Sequence, residues 1–246
     1  ATLPGLSTWI RVRDWRATLI AKLPNVSVFP ESPMTAADIA DFGAHHVVIA
    51  TGSRWRRDGI GVLNLDSRDF FTALTPDDVF AGAKITGPVV IYDDDHYFMG
   101  GALAEKLAHD GHAVTLVTPH ATASYWTAYT DEQGFVQARL LELGVTLALS
   151  QHVTAQSNGA ARLACAYTGR ETSVACETLI TVTGRLPDDG LYQSLHGHVA
   201  SLARVGDCLQ PSSIADAVYS GHRFARLLGE ADPAPRRELP QFRAMP

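Results

Sequence analysis

The stretch Pro88 to Pro119, PVVIYDDDHYFMGGALAEKLAHDGHAVTLVTP, constrains the fold more than any other, because it reads as a strand, a turn, an amphipathic helix and a second strand. Val89, Val90 and Ile91 form a short apolar run of β-branched residues suited to a buried parallel strand. Leu103, Leu107 and Ala108 fall on one helical face, Gly111 stops the helix, and Val114 to Val117 begins the next run. This is a βαβ unit.

A βαβ unit of this length raises the question of a dinucleotide, since a glycine-rich turn lets backbone N–H groups and a helix N-terminus hold a pyrophosphate. Counting back from Gly111 puts the last fingerprint glycine near Gly100, with Asp95 and Tyr97 where the first two would stand. Three consecutive carboxylates, Asp93 to Asp95, occupy the turn that would face the phosphates. Coulomb repulsion and the missing close-approach glycines argue against a pyrophosphate there. The plain expectation for the acidic run is a solvated turn with one residue capping the helix.

A chain of 246 residues supports one large or two medium domains with real cores. Hydrophobic residues at 46% and charged residues at 19% place it with globular proteins. The formal charge of −6 and pI near 5.9 give no reason to expect nucleic acid or an anionic membrane as partner. No apolar run approaches the ~20 residues of a membrane helix, and a soluble, cytoplasmic protein is expected. Cys165, Cys176 and Cys208 lack any CxxC spacing and read as inert thiols of a reducing compartment. The ten histidines show no ligand spacing, so no metal site and no catalytic residue is assigned. No secretory signal follows Ala1, and a start without Met reads either as processing or as a piece of something longer.

Along the chain, LPGLSTWIRVRDWRATLIAKLPNVSVF gives a turn, a helix and a short strand at Val26 to Phe29. Thr35 is an N-cap with Asp38 three residues on. Val47 to Ile49 is a strand running into Ala50-Thr51-Gly52, a small-residue exit that either lets a ligand or backbone approach or is a generic tight turn. LTPDDVF holds one short helix with Pro76 in its first turn. After the βαβ unit a helix carries Phe135, Leu140 and Leu141 and ends at Gly144. Strands follow at Val145 to Leu149, Leu163 to Tyr167 and Ser173 to Thr183, with Asn158-Gly159 as a hairpin turn. Ser212 or Ser213 caps a final helix with apolar Ala215, Val218, Phe224 and Leu228. Asp207, behind Gly206 at the end of the strand Leu202 to Val205, is placed either to accept hydrogen bonds from sugar or ribityl hydroxyls or to serve as an ordinary turn residue.

The expected organisation is therefore α/β, with two Rossmann-like βαβ domains of the disulfide-reductase type. The first, discontinuous over 1–58 and 184–246, is incomplete: three short strands do not close a doubly wound core, and their apolar faces need another cover. Residues 59–83 form a linker, and 84–183 form the NAD(P)-binding-like domain without a glycine fingerprint.

ATGSRWRRDG at Ala50 to Gly59, YDDDHYFMGGALAEKLAHDGHAVTLVTP at Tyr92 to Pro119, and VGDC with IADAVYSGHRFAR within Val205 to Arg226 resemble the C-terminal part of the trimethylamine, dimethylamine and histamine dehydrogenase family. The likeness runs in the same order over nearly the whole chain. It implies a longer protein whose N-terminal (β/α)₈ barrel carries FMN and a cysteine-ligated [4Fe–4S] cluster, followed by two domains similar to the FAD and NADPH domains of disulfide reductases. Amine oxidation would then occur outside this chain. The FAD-like domain would hold ADP or FAD, of which this chain supplies the downstream wall: Thr51, Gly52, Ser53, Arg54 and Trp55, with Gly206 and Asp207. Trp55 is then either an adenine platform or a core residue. The resemblance further implies an electron-transfer flavoprotein as acceptor and a homo-oligomer at full length. Two other readings stay open: a separate non-catalytic subunit docking a barrel subunit, and an NAD(P)H-binding region of a flavin oxidoreductase.

Overall fold

A computed structural model describes residues 3–68, 70 and 72–229. In chain order these form helices α1 (Ile10–Ile20) and α2 (Ala36–Phe42), strands β1 (Val47–Ile49) and β2 (Ser53–Trp55), helix α3 (Pro76–Phe80), strand β3 (Val89–Asp93), helix α4 (Phe98–His109) and strand β4 (Val114–Thr118). Helix α5 (Gln133–Glu142) leads to strands β5 (Thr146–Leu149), β6 (Gln151–Ser157), β7 (Ala160–Cys165), β8 (Glu171–Ala175), β9 (Thr178–Val182) and β10 (Arg185–Pro187). Helix α6 (Gly190–Leu195), strand β11 (Leu202–Arg204) and helix α7 (Ile214–Leu227) complete the set. The contacts divide the chain into two units, one of residues 1–32 and 54–186, the other of 33–53 and 187 onward.

The larger unit is organised on a parallel four-stranded sheet in the order β5-β4-β3-β9. All residues of β3 and β9 are buried, as the apolar runs VVIY and TLITV require when both sheet faces are covered. The period of two assigns the faces: Val89 and Ile91 join Leu103, Leu107, Leu116, Leu140 and Ile180 in the core beneath α4 and α5. Val90 and Tyr92 join Val117, Leu179, Val153 and Leu163 in a second core, under the antiparallel sheet β6-β7-β8. Each such Leu or Ile stabilises the fold by about 1.5–3 kcal/mol.

Several local expectations hold. Thr35 and Asp38 form a capping box on α2, and Pro76 opens α3. Asn158 and Gly159 both have positive φ, 51° and 73°, as the two-residue turn between β6 and β7 demands. Others do not hold. The run Ser173 to Thr183 is two strands in two sheets, split at Cys176 and Glu177, whose N–H groups donate to Gly159 O and Pro88 O. Val26 to Phe29 is not a strand: among the described residues no strand pairs with it, and Val28 and Phe29 are exposed.

The unit boundaries run differently from the expected domains. Residues 1–32 count with the larger unit, where Leu3 is buried in the α4–α5 core and Leu6 packs against it. The segment expected as a linker, 59–83, is also part of that unit. Leu74 and Val79 pack on its core, and Leu74 exchanges hydrogen bonds with β9, donating to Leu179 O and accepting from Thr181 N–H.

The smaller unit contains a parallel pair, β1 with β11, in the register Val47 to Leu202 and Ile49 to Arg204. Val47, Ile49, Leu195 and Cys208 are its buried centre, with Ile39, Leu191, Tyr192 and Leu202 packed around them. Val48, on the opposite face, is exposed. Helix α7 has no buried residue among its fourteen. Residues 230–246 of the domain expected here lie outside the described residues.

Candidate functional site

In the smaller unit β1 stops at Ile49 and the chain turns through Ala50, Thr51 and Gly52. Gly52 has φ +84°, which a side chain would oppose, and its Cα faces open space. Thr51 Oγ1 donates to Asp188 O, and Asp188 N–H donates to Gly52 O at 2.9 Å, so this turn is fixed on both sides. Ser53 Oγ donates to Asp207 Oδ2 at 3.1 Å, and Ser212 N–H donates to Asp207 Oδ1 at 3.2 Å. Gly206, at φ +62°, aims Asp207 by turning the chain out of β11, and its N–H donates to Ser220 Oγ on α7 at 2.9 Å.

The N-terminus of α7 is closed internally. Ser213 caps it, and Asp216 accepts from Ser212 Oγ at 2.6 Å and from Ser213 Oγ at 2.6 Å. Those two hydroxyls hold the Asp216 carboxyl below the usual carboxylate range. Ser212 thus links Asp207 to Asp216 through its N–H and its hydroxyl. Five of the seven residues assigned from the sequence, Thr51, Gly52, Ser53, Gly206 and Asp207, belong to this unit. Arg54 and Trp55 count with the larger one. There the Trp55 N–H donates to Asp77 Oδ2 at 2.9 Å, and its half-buried indole packs against the core with the Arg185 guanidinium 5.4 Å from the ring centre. Of the two roles open for Trp55, the structure displays the packing one.

The acidic turn is not solvated. Asp93, Asp94 and His96 are buried at 0% exposure, which overturns the expectation of a solvent-facing turn. The Asp94 carboxylate accepts from Leu63 N–H at 3.0 Å, Asn64 N–H at 2.8 Å and His96 Nε2 at 2.8 Å. Asp93 Oδ1 accepts from the N–H groups of Asp95 at 3.2 Å and His96 at 2.9 Å. Burial pushes the Asp93 carboxyl up to about 7, partly offset by nearby His96, and also raises Asp95. Nor does an acidic residue cap α4: its N-cap is Tyr97, with no side-chain cap bond. Three acids in succession gave no hint that the acceptors of Asp94 would be satisfied by backbone thirty residues away. The readable signals were the glycines that make room for them. A Cβ at Gly61 would stand 2.6 Å from Asp94 Cγ, and one at Gly100 would stand 2.5 Å from Asp93 Cγ.

Residues 74–170 match the model of the OYE-like second alpha/beta domain. Dimethylamine dehydrogenase from Hyphomicrobium sp. (strain x) is 33% identical over 270 residues, an alignment that covers 95% of this chain and 36% of that protein. The structure of histamine dehydrogenase from Rhizobium sp. 4-9 is 40% identical with a TM-score of 0.90, covering 95% of this chain and 38% of that one. That of 6-hydroxypseudooxynicotine amine oxidase from Pseudomonas geniculata N1 is 35% identical with a TM-score of 0.88, over 92% and 35%. A flavoprotein disulfide reductase from Escherichia coli, 16% identical with a TM-score of 0.53 over 75% of this chain and 44% of its own, shares the fold alone. The chain spans little more than a third of the length of its amine-oxidising relatives.

Proposed function

This chain is homologous to dimethylamine dehydrogenase and histamine dehydrogenase and belongs to their oxidoreductase family as a partial segment, and we propose that it is the nucleotide-holding and scaffolding region of an amine dehydrogenase. The observation that carries this reading is the 40% identity to histamine dehydrogenase sustained over 95% of the chain. In the proposed protein, oxidation of a small amine at its C–N bond belongs to an FMN and iron–sulfur part outside these residues, with an electron-transfer flavoprotein as acceptor. The finer fold assignment, two domains of the disulfide-reductase type with the first one incomplete, is part of the same proposal.

The nucleotide is ADP or FAD, held in part by the smaller unit. The Asp207 carboxylate, held by Ser53 Oγ and Ser212 N–H, is the type of group that accepts from a ribose or ribityl hydroxyl. Gly52 leaves the space that a bound group requires, and Thr51 and Ser53 fix the turn between them. The reading in which the larger unit binds NAD(P)H is disfavoured by a turn whose donors are already satisfied by carboxylates.

The test is Asp207→Ala in the full-length protein. Loss of a charged hydrogen bond is expected to weaken nucleotide retention by about 1–3 kcal/mol, read as nucleotide released per protomer on denaturation after purification. Unchanged nucleotide content in the folded variant would remove Asp207 from the site.

A further inference from the structure

The sheet of the larger unit has a topological switch point. From β3 the chain passes through α4 to β4 and through α5 to β5 on one side, while β9 lies on the other side of β3. In open parallel sheets the crevice outside the C-terminal ends of two such strands is where a ligand is taken. Here the loop Ile60 to Asn64 lies across both ends. Ile60 O accepts from Gly184 N–H, just past β9, at 2.9 Å, and Val62 N–H donates to Asp94 O, just past β3, at 3.0 Å. The next two N–H groups of the loop, Leu63 and Asn64, both point into the Asp94 carboxylate.

The turn itself is equally occupied. Asp94 and Asp95 N–H groups donate to Val182 O at 2.9 and 3.1 Å, Asp95 and His96 N–H groups donate to Asp93 Oδ1, and the Tyr97 N–H donates to the Asp95 carboxylate. Every backbone N–H from Asp94 to Tyr97 therefore has an acceptor within the unit, and most of those acceptors are carboxylates. The glycine logic of a phosphate turn is inverted. Gly61 and Gly100 are tight against Asp94 and Asp93, so their missing side chains accommodate internal carboxyl groups where a phosphate turn would accommodate a ligand.

We infer that Asp93 and Asp94 are built-in carboxyl acceptors that fill the nucleotide crevice of this unit, Asp94 clamping the loop Ile60 to Asn64 over it as a fixed plug, so that dinucleotides are excluded. Asp94 is the clamp, because its carboxylate joins the loop, the turn and the His96 ring. Asp93 is the filler, because it takes the N–H groups that would otherwise face a phosphate. The inference stands apart from the nucleotide wall of the smaller unit, which either result leaves untouched.

Hydrogen–deuterium exchange of the full-length protein, read at single amides, tests both parts. Asp94→Asn removes the charge and one acceptor oxygen while keeping the shape, and exchange at Leu63 and Asn64 is expected to accelerate by about tenfold or more, with Leu116 and Val117 in the sheet unchanged. In the wild type, saturating NADPH or inorganic pyrophosphate is expected to add no protection at Asp95, His96 or Tyr97. Unchanged exchange at Leu63 and Asn64 in the folded variant would overturn the clamp. Saturable protection of the turn amides by either probe would overturn the filling. The wild-type titration decides the second point even if the variant does not fold.

Discussion

The Cα of Gly61 lies against the side chain of Asp94, so that a Cβ at Gly61 would stand 2.6 Å from Asp94 Cγ and 2.7 Å from Asp94 Cβ. The carboxylate is fully buried and held by three donors, and it has nowhere to move. Gly61→Ala is therefore expected to destabilise by about 1–3 kcal/mol through overpacking. Gly111 provides the comparison: its φ is +89° with nothing within 4 Å of a Cβ, so Gly111→Ala is expected to cost about 1 kcal/mol of backbone strain alone. Urea denaturation of the two variants gives the order directly, and a Gly61→Ala midpoint above that of Gly111→Ala would contradict the close contact.

Stability should depend on pH through Asp93 in an unusual direction. Burial raises its carboxyl from 3.8 to about 7 in the fold, so between those values the folded protein binds more protons than the unfolded chain. Its contribution therefore becomes less favourable as pH rises through that window and is constant above it. Asp58, lowered by its bonds to Arg56, and Asp216, lowered by Ser212 and Ser213, act oppositely: their stabilisation is present above the unfolded carboxylate pKa and is lost in acid. Asp93→Asn isolates the first effect. Between pH 5 and pH 8 the wild type is expected to lose a few kcal/mol relative to this variant, measured by denaturant unfolding at each pH. Parallel pH profiles for the two proteins would rule out a buried, proton-holding Asp93.

The sequence carried the βαβ unit plainly because both faces of β3 are covered, and a strand covered on both faces must be apolar without interruption, as Val89 to Ile91 is. Capping signals were legible for the same kind of reason: Thr35 with Asp38 and Ser213 with Asp216 satisfy their own helix ends within four residues. Strand β6 was not legible. QHVTAQS is mostly polar, and Val153 is its one fully buried residue, because the other side chains lie on partly exposed faces of the small sheet. The burial of Asp93 and Asp94 was illegible for a different reason. It depends on backbone donors, Leu63 and Asn64 for Asp94 and the turn's own Asp95 and His96 for Asp93, and backbone donors leave no trace in residue identity beyond the glycines that make room. In the smaller unit, Ser53 and Asp207 were both selected from the sequence, yet their mutual hydrogen bond spans 154 positions and emerges only from the parallel pairing of β1 with β11.

The cap of α7 gives a local prediction in the smaller unit. Ser213 accepts from the Asp216 N–H at 3.2 Å, while the Asp216 carboxylate returns a bond to the Ser213 N–H at 3.3 Å. With no residue of α7 buried, tertiary packing adds little to hold its first turn. Ser213→Ala is expected to cost about 0.5–2 kcal/mol and to speed amide exchange over Ile214 to Ala217. Exchange there at the wild-type rate would mean that the first turn does not depend on its cap.

The three thiols differ enough in environment to be separated by reactivity. Cys165 is the partly exposed last residue of β7, and a hydrogen bond with the Thr168 side chain, followed by the N–H groups of Tyr167 and Thr168, lowers its thiol from the ordinary value. Cys176 is buried against the second core of the larger unit, and burial pushes its thiol up to about 11. Cys208 is fully buried in the core of the smaller unit, its Sγ 3.5 Å from Asp188 O. The thiolate is the reactive form, so both access and acidity favour Cys165. Iodoacetamide at pH 7.5 is expected to alkylate Cys165 in the native chain while leaving Cys176 and Cys208 unmodified until denaturant is added. Peptide mass mapping assigns the order of labelling. Modification of Cys208 at a rate matching Cys165 would show that the centre formed by Val47, Ile49 and Leu195 opens in the native state.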